Sequence, residues 1–315
     1  MHAIARRTLF VTPLLAAPAL ARAQAAPPLV LATIAMIGEP ARRLAGTAAQ
    51  VETLLGEGVD PHLYRPTRAD SARLLRADLV LFHGLGLEGR LRDAIGRVAA
   101  AGRPVLAVGE AIPRQSLLIE DGTPDPHVWM DPALWIIGAE AMAARLVTLR
   151  PAAAPSIRAN LAAFREEAVA LDAWARQVVQ RIPAERRVLV TAHDAFSYLG
   201  RRYGLEVEGI EGISTDSEAG VQRIRDLVEL LVARRIPAVF AETSVSDRNI
   251  RALIEGAAAR GHRVVPGGSL FSDAMGPPGT YEGTWLGMID HNVTTIVRAL
   301  GGDVAPRGFR GRLAA

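Results

Sequence analysis

Residues 156 to 182 run for 27 positions without a glycine or a proline. Within them Leu161, Phe164, Ala168, Leu171, Trp174, Val178 and Ile182 recur at steps of three or four, which makes one apolar face of a helix. Pro155-Ser156 marks its start and Pro183 its end. At about 1.5 Å per residue such a helix spans about 40 Å, longer than a crossover between neighbouring strands requires. It divides the chain beyond the N-terminal leader into two halves of similar size. This placement points to a rigid strut between two lobes rather than to an ordinary surface helix.

Each half alternates short apolar runs with longer helical ones. In the first, strands are expected at 29–34, 51–55, 79–82 and 105–108, with helices at 39–48, 68–76 and 87–101. In the second, strands are expected at 188–191, 206–210, 238–241 and 263–265, with helices at 195–203, 218–234 and 247–260. Nearly continuous apolar strands between helices imply parallel sheets covered on both faces. The expected fold class is α/β: two similar lobes, each a small parallel sheet flanked by helices, joined by one long α-helix. The expected boundaries are a leader at 1–25, an N-terminal lobe at 26–155, the linking helix at 156–182, a C-terminal lobe at 183–302 and a loose basic tail at 303–315.

The leader has the parts of a cleavable export signal. Arg6-Arg7 precede an apolar stretch, and Ala21-Arg22-Ala23 and Ala23-Gln24-Ala25 offer cleavage sites. Pro13 and Pro18 argue against a first helix of the fold. The paired arginines fit either the general or the twin-arginine route. Every basic side chain is Arg, and the net charge is +3. Three of those charges leave with the leader, so the folded part lacks the basic footprint of a nucleic-acid binder. No apolar run reaches the roughly 18 residues of a membrane span, so membrane insertion is not expected. Cysteine is absent, which excludes disulfides, thiolate metal sites, thiol catalysis and a lipid-bearing cysteine. These features together imply a periplasmic location.

Three of the seven histidines share a setting, each near a strand end beside Asp or Pro: Asp60-Pro61-His62, Asp125-Pro126-His127 and Thr191-Ala192-His193-Asp194. A fourth polar loop, Leu270-Phe271-Ser272-Asp273, comes after the last expected strand. Ligands of open α/β sheets bind beyond the carboxyl ends of the strands. Their spacing matches no local finger motif, so a site made from them has to assemble from both halves. Taken singly, each histidine reads equally as a solvated loop residue, and Asp273 as a helix cap.

The local sequences go further. Asp60-Pro61-His62-Leu63-Tyr64-Arg65-Pro66-Thr67, Asp125-Pro126-His127-Val128-Trp129-Met130-Asp131-Pro132 and His193-Asp194-Ala195-Phe196-Ser197-Tyr198-Leu199 resemble, in order, three ligand loops of the zinc/manganese solute-binding proteins of ABC importers, the cluster A-I family. Leu270-Phe271-Ser272-Asp273-Ala274 with His291-Asn292-Val293 resembles the fourth loop and final helix, and Phe240-Ala241-Glu242-Thr243 is similar to a family strand. The resemblance implies a metal buried between the lobes, with His62, His127, His193 and Asp273 as ligands. It implies as partners an ABC permease with its cytoplasmic ATPase, and a periplasmic metallochaperone as a further candidate.

Each ligand histidine needs an acceptor for its other ring nitrogen, and Glu242, Asp131 and Asp194 are the candidates. His83 stands where family members often carry Asn. It is a further candidate for the surroundings of the metal, read here as a partly exposed loop residue. Residues 110–125 lack the His-rich loop of many zinc importers, which weakens an assignment of zinc by analogy. Three imidazoles with one carboxylate nevertheless favour Zn2+ over Mn2+ or Fe2+ as the transported ion. Affinity is expected to fall below about pH 6, near the ordinary histidine pKa. A zinc-dependent hydrolase with Glu242 as general base is the alternative of another class, although no HExxH helix is present. An organic-solute binder fits poorly with 5% aromatic residues.

Overall fold

The computed structural model describes residues 26–216 and 219–314. The expected leader and Glu218, the first residue of one expected helix, lie outside the described residues.

In the first half, strands β1 (Leu29–Ala32), β2 (Gln50–Thr53), β3 (Leu79–Phe82) and β4 (Val105–Ala107) alternate with helices α1 (Ala35–Ala45), α2 (Arg68–Arg76) and α3 (Leu91–Ala100). The sheet is parallel, in the order β2-β1-β3-β4. A small antiparallel hairpin, β5 (Ile119–Glu120) with β6 (Thr123–Pro124), precedes α4 (Pro132–Leu149). The long helix α5 (Ala154–Val179) comes next. The second half contains β7 (Val188–His193), α6 (Ser197–Tyr203), β8 (Glu206–Glu211), α7 (Val221–Ala233), β9 (Ala238–Glu242), α8 (Arg248–Ala259), β10 (Val265–Leu270) and α9 (Trp285–Ala299). Its parallel sheet has the order β8-β7-β9-β10, the same topology as the first.

The expected two-lobed α/β architecture is present, and α5 joins the lobes. One face of α5 is buried through Ile157, Phe164, Ala168, Leu171, Ala175 and Val178. It packs on α1 and α4 of the first lobe and on α6 and α9 of the second. Phe164 stands 5.4 Å from Trp285 of α9, and Trp174 stands 5.6 Å from Phe309. Arg43 pairs with Glu167 at 2.7 Å and Arg202 with Asp172 at 2.6 Å, one ion pair to each lobe. A strut held along its length on both sides disfavours a wide hinge.

Four local expectations are corrected. The helix expected at 39–48 starts at Ala35 and runs through Pro40. Proline removes one helical hydrogen bond, and burial of Met36, Ile37 and Leu44 offsets the loss. Helix α4 is not among the expected elements, and by length and composition it reaches the 18 residues of a membrane span. It is a core helix, half buried against α1 and α5. Strand β10 continues past residue 265 through Pro266-Gly267-Gly268, a sequence that reads as a turn. The register shifts there, with Gly268 at φ +123°, a conformation that side chains rarely allow. The tail at 303–314 is packed rather than loose. Val304, Phe309 and Leu313 are buried, the Phe309 N–H donates to Asp290 Oδ1 at 2.8 Å, and the Arg312 guanidinium lies 4.2 Å over the Tyr281 ring.

Phe164 is fully buried where α5 meets the second lobe, so Phe164→Ala should cost about 3–5 kcal/mol in urea unfolding. A loss below about 1 kcal/mol would show that this contact is not part of the shared core.

Candidate metal centre

The two Asp-Pro-His segments fold alike. In each, the Asp Oδ1 accepts the backbone N–H of the histidine two residues on, at 2.8 Å for His62 and 2.9 Å for His127. This is an Asx turn, which gives the amide a partner without a strand. His193 is the last residue of β7, and its amide donates to Glu242 Oε1, at the end of neighbouring β9, at 2.8 Å. Asp273 lies just after β10 on a loop held by Asn292, which accepts from the Phe271 amide at 2.9 Å and donates to its carbonyl at 2.7 Å. All four residues lie at or beyond the carboxyl edges of the two sheets.

The structure brings His62, His127, His193 and Asp273 together, with one donor atom from each lying within 4.8 Å of the others. The Nε2 atoms of His62, His127 and His193 stand 3.5, 3.3 and 3.1 Å from an Asp273 oxygen. None of the three nitrogens and neither carboxylate oxygen has a hydrogen-bond partner, although all are buried. Buried polar atoms are normally satisfied, so five orphans in one cluster mark a place built for something they can all bind. A tetrahedral ion with bonds of about 2.0–2.2 Å sets its donors about 3.3–3.6 Å apart, close to the spacings here.

Behind the cluster, His127 Nδ1 meets Asp125 Oδ1 at 2.7 Å and His193 Nδ1 meets Glu242 Oε2 at 2.5 Å. These contacts leave each Nε2 free to face inward. Burial opposes charge on His127, but Asp125 and Asp273 outweigh it and push its pKa up to about 9. Burial likewise opposes charge on His193, and the carboxylates of Glu242 and Asp273 raise its pKa well above the ordinary range. Burial lowers the pKa of His62. Asp273 is held well below the ordinary carboxylate range because its imidazole neighbours overcome the cost of burial.

Of the expected acceptors, Glu242 lies against a ligand-cluster histidine and two others do not. Asp131 caps α4, accepting from the Ala133 amide at 2.9 Å, and lies 3.6 Å from Arg202. Asp194 accepts from the Ser197 hydroxyl at 2.7 Å. The acceptor behind His127 is Asp125, whose signal was the Asp-Pro-His repeat itself. His83 is not a partly exposed loop residue. It is wholly buried at the end of β3, 4.9 Å from the Trp129 ring, and burial lowers its pKa to about 3. Glu88 was also unforeseen. Its buried carboxylate accepts from Thr33 Oγ1 and the amides of His83 and Gly84, and burial raises its pKa to about 7. Both Glu242 oxygens are engaged on the far side of His193, which removes it as a fourth inward donor and as a general base at the cluster.

The carboxylates that draw a proton onto His127 and His193 draw a metal cation by the same field, so proton and cation compete. Between pH 6.5 and about 9, raising the pH removes the competing proton, and affinity for a divalent metal should rise across this window rather than level off above pH 6. Isothermal titration in buffers of different ionisation enthalpy at pH 7 should register proton release, and no release would refute the scheme. Glu242→Gln should weaken metal affinity about 10–100-fold through loss of the acceptor behind His193, and an unchanged affinity would show the contact to be idle.

The family model described as zinc-uptake complex component A, periplasmic (ZnuA), matches residues 30–299. The manganese-binding lipoprotein MntA of Bacillus subtilis is 44% identical over 273 residues, covering 86% of this chain and 89% of that protein. The zinc-binding protein TroA of Treponema pallidum is 44% identical over 274 residues, covering 87% and 89%. Its solved structure, described as a periplasmic zinc binding protein, superposes with a TM-score of 0.85 over 87% of this chain and 99% of that one. The iron-binding protein YfeA of Yersinia pestis is 31% identical over 279 residues, covering 86% of each. With a matching family model over most of its length and the same two-lobed fold, the chain belongs to the ZnuA/TroA family of periplasmic metal-binding proteins of ABC importers.

Proposed function

We propose that the protein captures one Zn2+ between its lobes and delivers it to an ABC importer permease. His62, His127 and His193 supply Nε2, and Asp273 supplies its carboxylate. The single observation that carries this reading is the set of buried, unpartnered donors from four residues lying within 4.8 Å of one another. Members of this family are transport receptors rather than enzymes, and a buried cluster of four donors suits holding an ion without activating water. The leader at 1–25 fits export of a mature chain that starts near residue 26.

Relatives that bear zinc, manganese and iron in their names are all similar to this chain, so kinship leaves the ion open. The donor set favours zinc, because imidazole suits Zn2+ while Mn2+ prefers oxygen ligands. Both Asp273 oxygens face the cluster, and a second carboxylate contact would suit Mn2+, which makes manganese the second reading.

Chelator-stripped residues 26–315, offered equimolar Zn2+ and Mn2+, should retain one zinc and exclude manganese by elemental analysis. Retention of manganese would overturn the choice of zinc. Trp129 stands 5.3 Å from His127 and provides a fluorescence readout. His193→Ala should reduce zinc affinity at least about 100-fold, and His83→Ala far less. Equal losses would mean that the ligand set is wrong.

A further inference from the structure

The site has one neighbour whose charge runs against its cargo. A cavity of about 510 Å³ opens beside His62 and is lined by Leu63, Arg65, Arg90, Arg92 and Asp216. His62 is 9% exposed, whereas His127 and His193 are wholly buried and Asp273 is 2% exposed. The cavity is therefore the solvent side of the donor cluster. The three arginines are exposed, and among the described residues their side chains make no ion pair or hydrogen bond. Leu63, at 47% exposure, adds an apolar contact at the rim.

Among the described residues, three arginines without a side-chain partner outnumber the one carboxylate, Asp216, around the mouth of a cation site, and this positive excess works against capture. They suit the opposite step. Arginine recognises carboxylates through paired N–H donors, and an acidic segment brought to this rim would also supply oxygen ligands to a departing metal. We propose that this arginine-lined mouth is the release face and that it docks an acidic segment of the membrane permease. The inference rests on the receptor reading above.

The backbone couples the rim to the ligand. Arg65 lies three residues after His62 on the same loop. Arg90 and Arg92 flank the start of α3, and Gly89 beside them packs on His62, so that a Cβ at Gly89 would come within 2.4 Å of the His62 carbonyl oxygen. Gly89 also holds φ +33°, outside the range most residues prefer. Pressure on either arginine-bearing segment reaches His62 through the main chain. Asp125 and Glu242 hold the second ring nitrogens of His127 and His193, and among the described residues no carboxylate does the same for His62. It is the ligand that moves with least resistance. Across the mouth, the Thr215 hydroxyl donates to Asp60 Oδ2 at 2.6 Å, and Asp60 holds the His62 amide, so a contact from the second lobe also bears on this loop.

The test uses the Zn2+-loaded protein and a fluorescein-labelled hexaglutamate peptide in low-salt buffer, with hexalysine as control. Anisotropy reports binding, and transfer of Zn2+ to a chromophoric chelator reports release. Hexaglutamate should bind and speed transfer, and R65E/R90E/R92E should weaken peptide binding at least about tenfold and abolish the acceleration. That variant should bind Zn2+ at least as tightly as the wild type and keep its tryptophan emission, which shows that it is folded, and R65K/R90K/R92K should restore part of the effect. Reconstituted with the cognate permease and ATPase in vesicles, the charge-reversed variant should need at least about tenfold more protein to stimulate ATP hydrolysis. Equal peptide effects on wild type and variant, or equal stimulation, would overturn the proposal. Arginine-dependent binding to phosphatidylglycerol vesicles with none to hexaglutamate would assign the face to lipid and overturn it too. Failure of the wild type to retain Zn2+ would instead overturn the receptor reading, a result distinct from these.

Discussion

A carboxylate from one lobe, buried against imidazoles from both, is the constraint on which the architecture turns. Asp273 cannot lie 2% exposed in an apolar interior without positive charge near it. Protons on His127 and His193 supply that charge, or a divalent cation does. Either way the electrostatic centre of the molecule lies between the lobes. The Asx turns, the ends of β7 and β9, and the Asn292 clamp on Phe271 all hold donors in one small volume. Asp125 and Glu242 extend the arrangement outward by fixing which ring nitrogen faces in.

The rest of the interface reads as support for this centre. Trp129, from the first lobe, donates its indole N–H to the Ser272 carbonyl next to Asp273 at 3.1 Å. Trp285, from the second, donates to the Trp129 carbonyl at 3.0 Å. Glu39 accepts the Trp285 amide at 3.0 Å, placing an acidic group of one lobe at the N-terminus of the other lobe's α9. Tyr198 bonds to the Asp125 carbonyl at 2.9 Å and accepts from the Leu118 amide at 3.0 Å. With α5 packed on both lobes, small shifts of loops cost less than separation of the lobes. The loop of His62, nearest to solvent, is the part of the site least bound by these contacts.

Much of this was legible because it depends on local pattern. The break-free run before Pro183 announced the strut, and repeated Asp-Pro-His announced two turns that present histidines alike. Contacts between distant segments were less legible. Asp131 and Asp194 stand near candidate histidines in sequence yet are engaged elsewhere: Asp131 caps α4 through the Ala133 amide, and Asp194 accepts from the Ser197 hydroxyl. Asp125 is two residues from His127 and serves both its amide and its ring, a double role that spacing does not announce. His83 occupies a loop-like sequence but is enclosed by Trp129 and Trp135, whose positions depend on α4, a helix that the apolar pattern did not announce.

The sequence by itself determined the alternation of strands and helices and the division into two halves, which depend on residue type and short-range periodicity and survive without a three-dimensional frame. The four candidate metal-binding residues were legible only through the resemblance of their local sequences to the family's ligand loops. The tertiary structure decided the convergence of the donors, the carboxylates behind His127 and His193, the burial of His83 and the arginine rim beside His62. These depend on how two separately wound sheets meet across α5. Burial and charge are properties of that meeting, because the dielectric and the neighbours that set a side chain's protonation come from segments far apart along the chain.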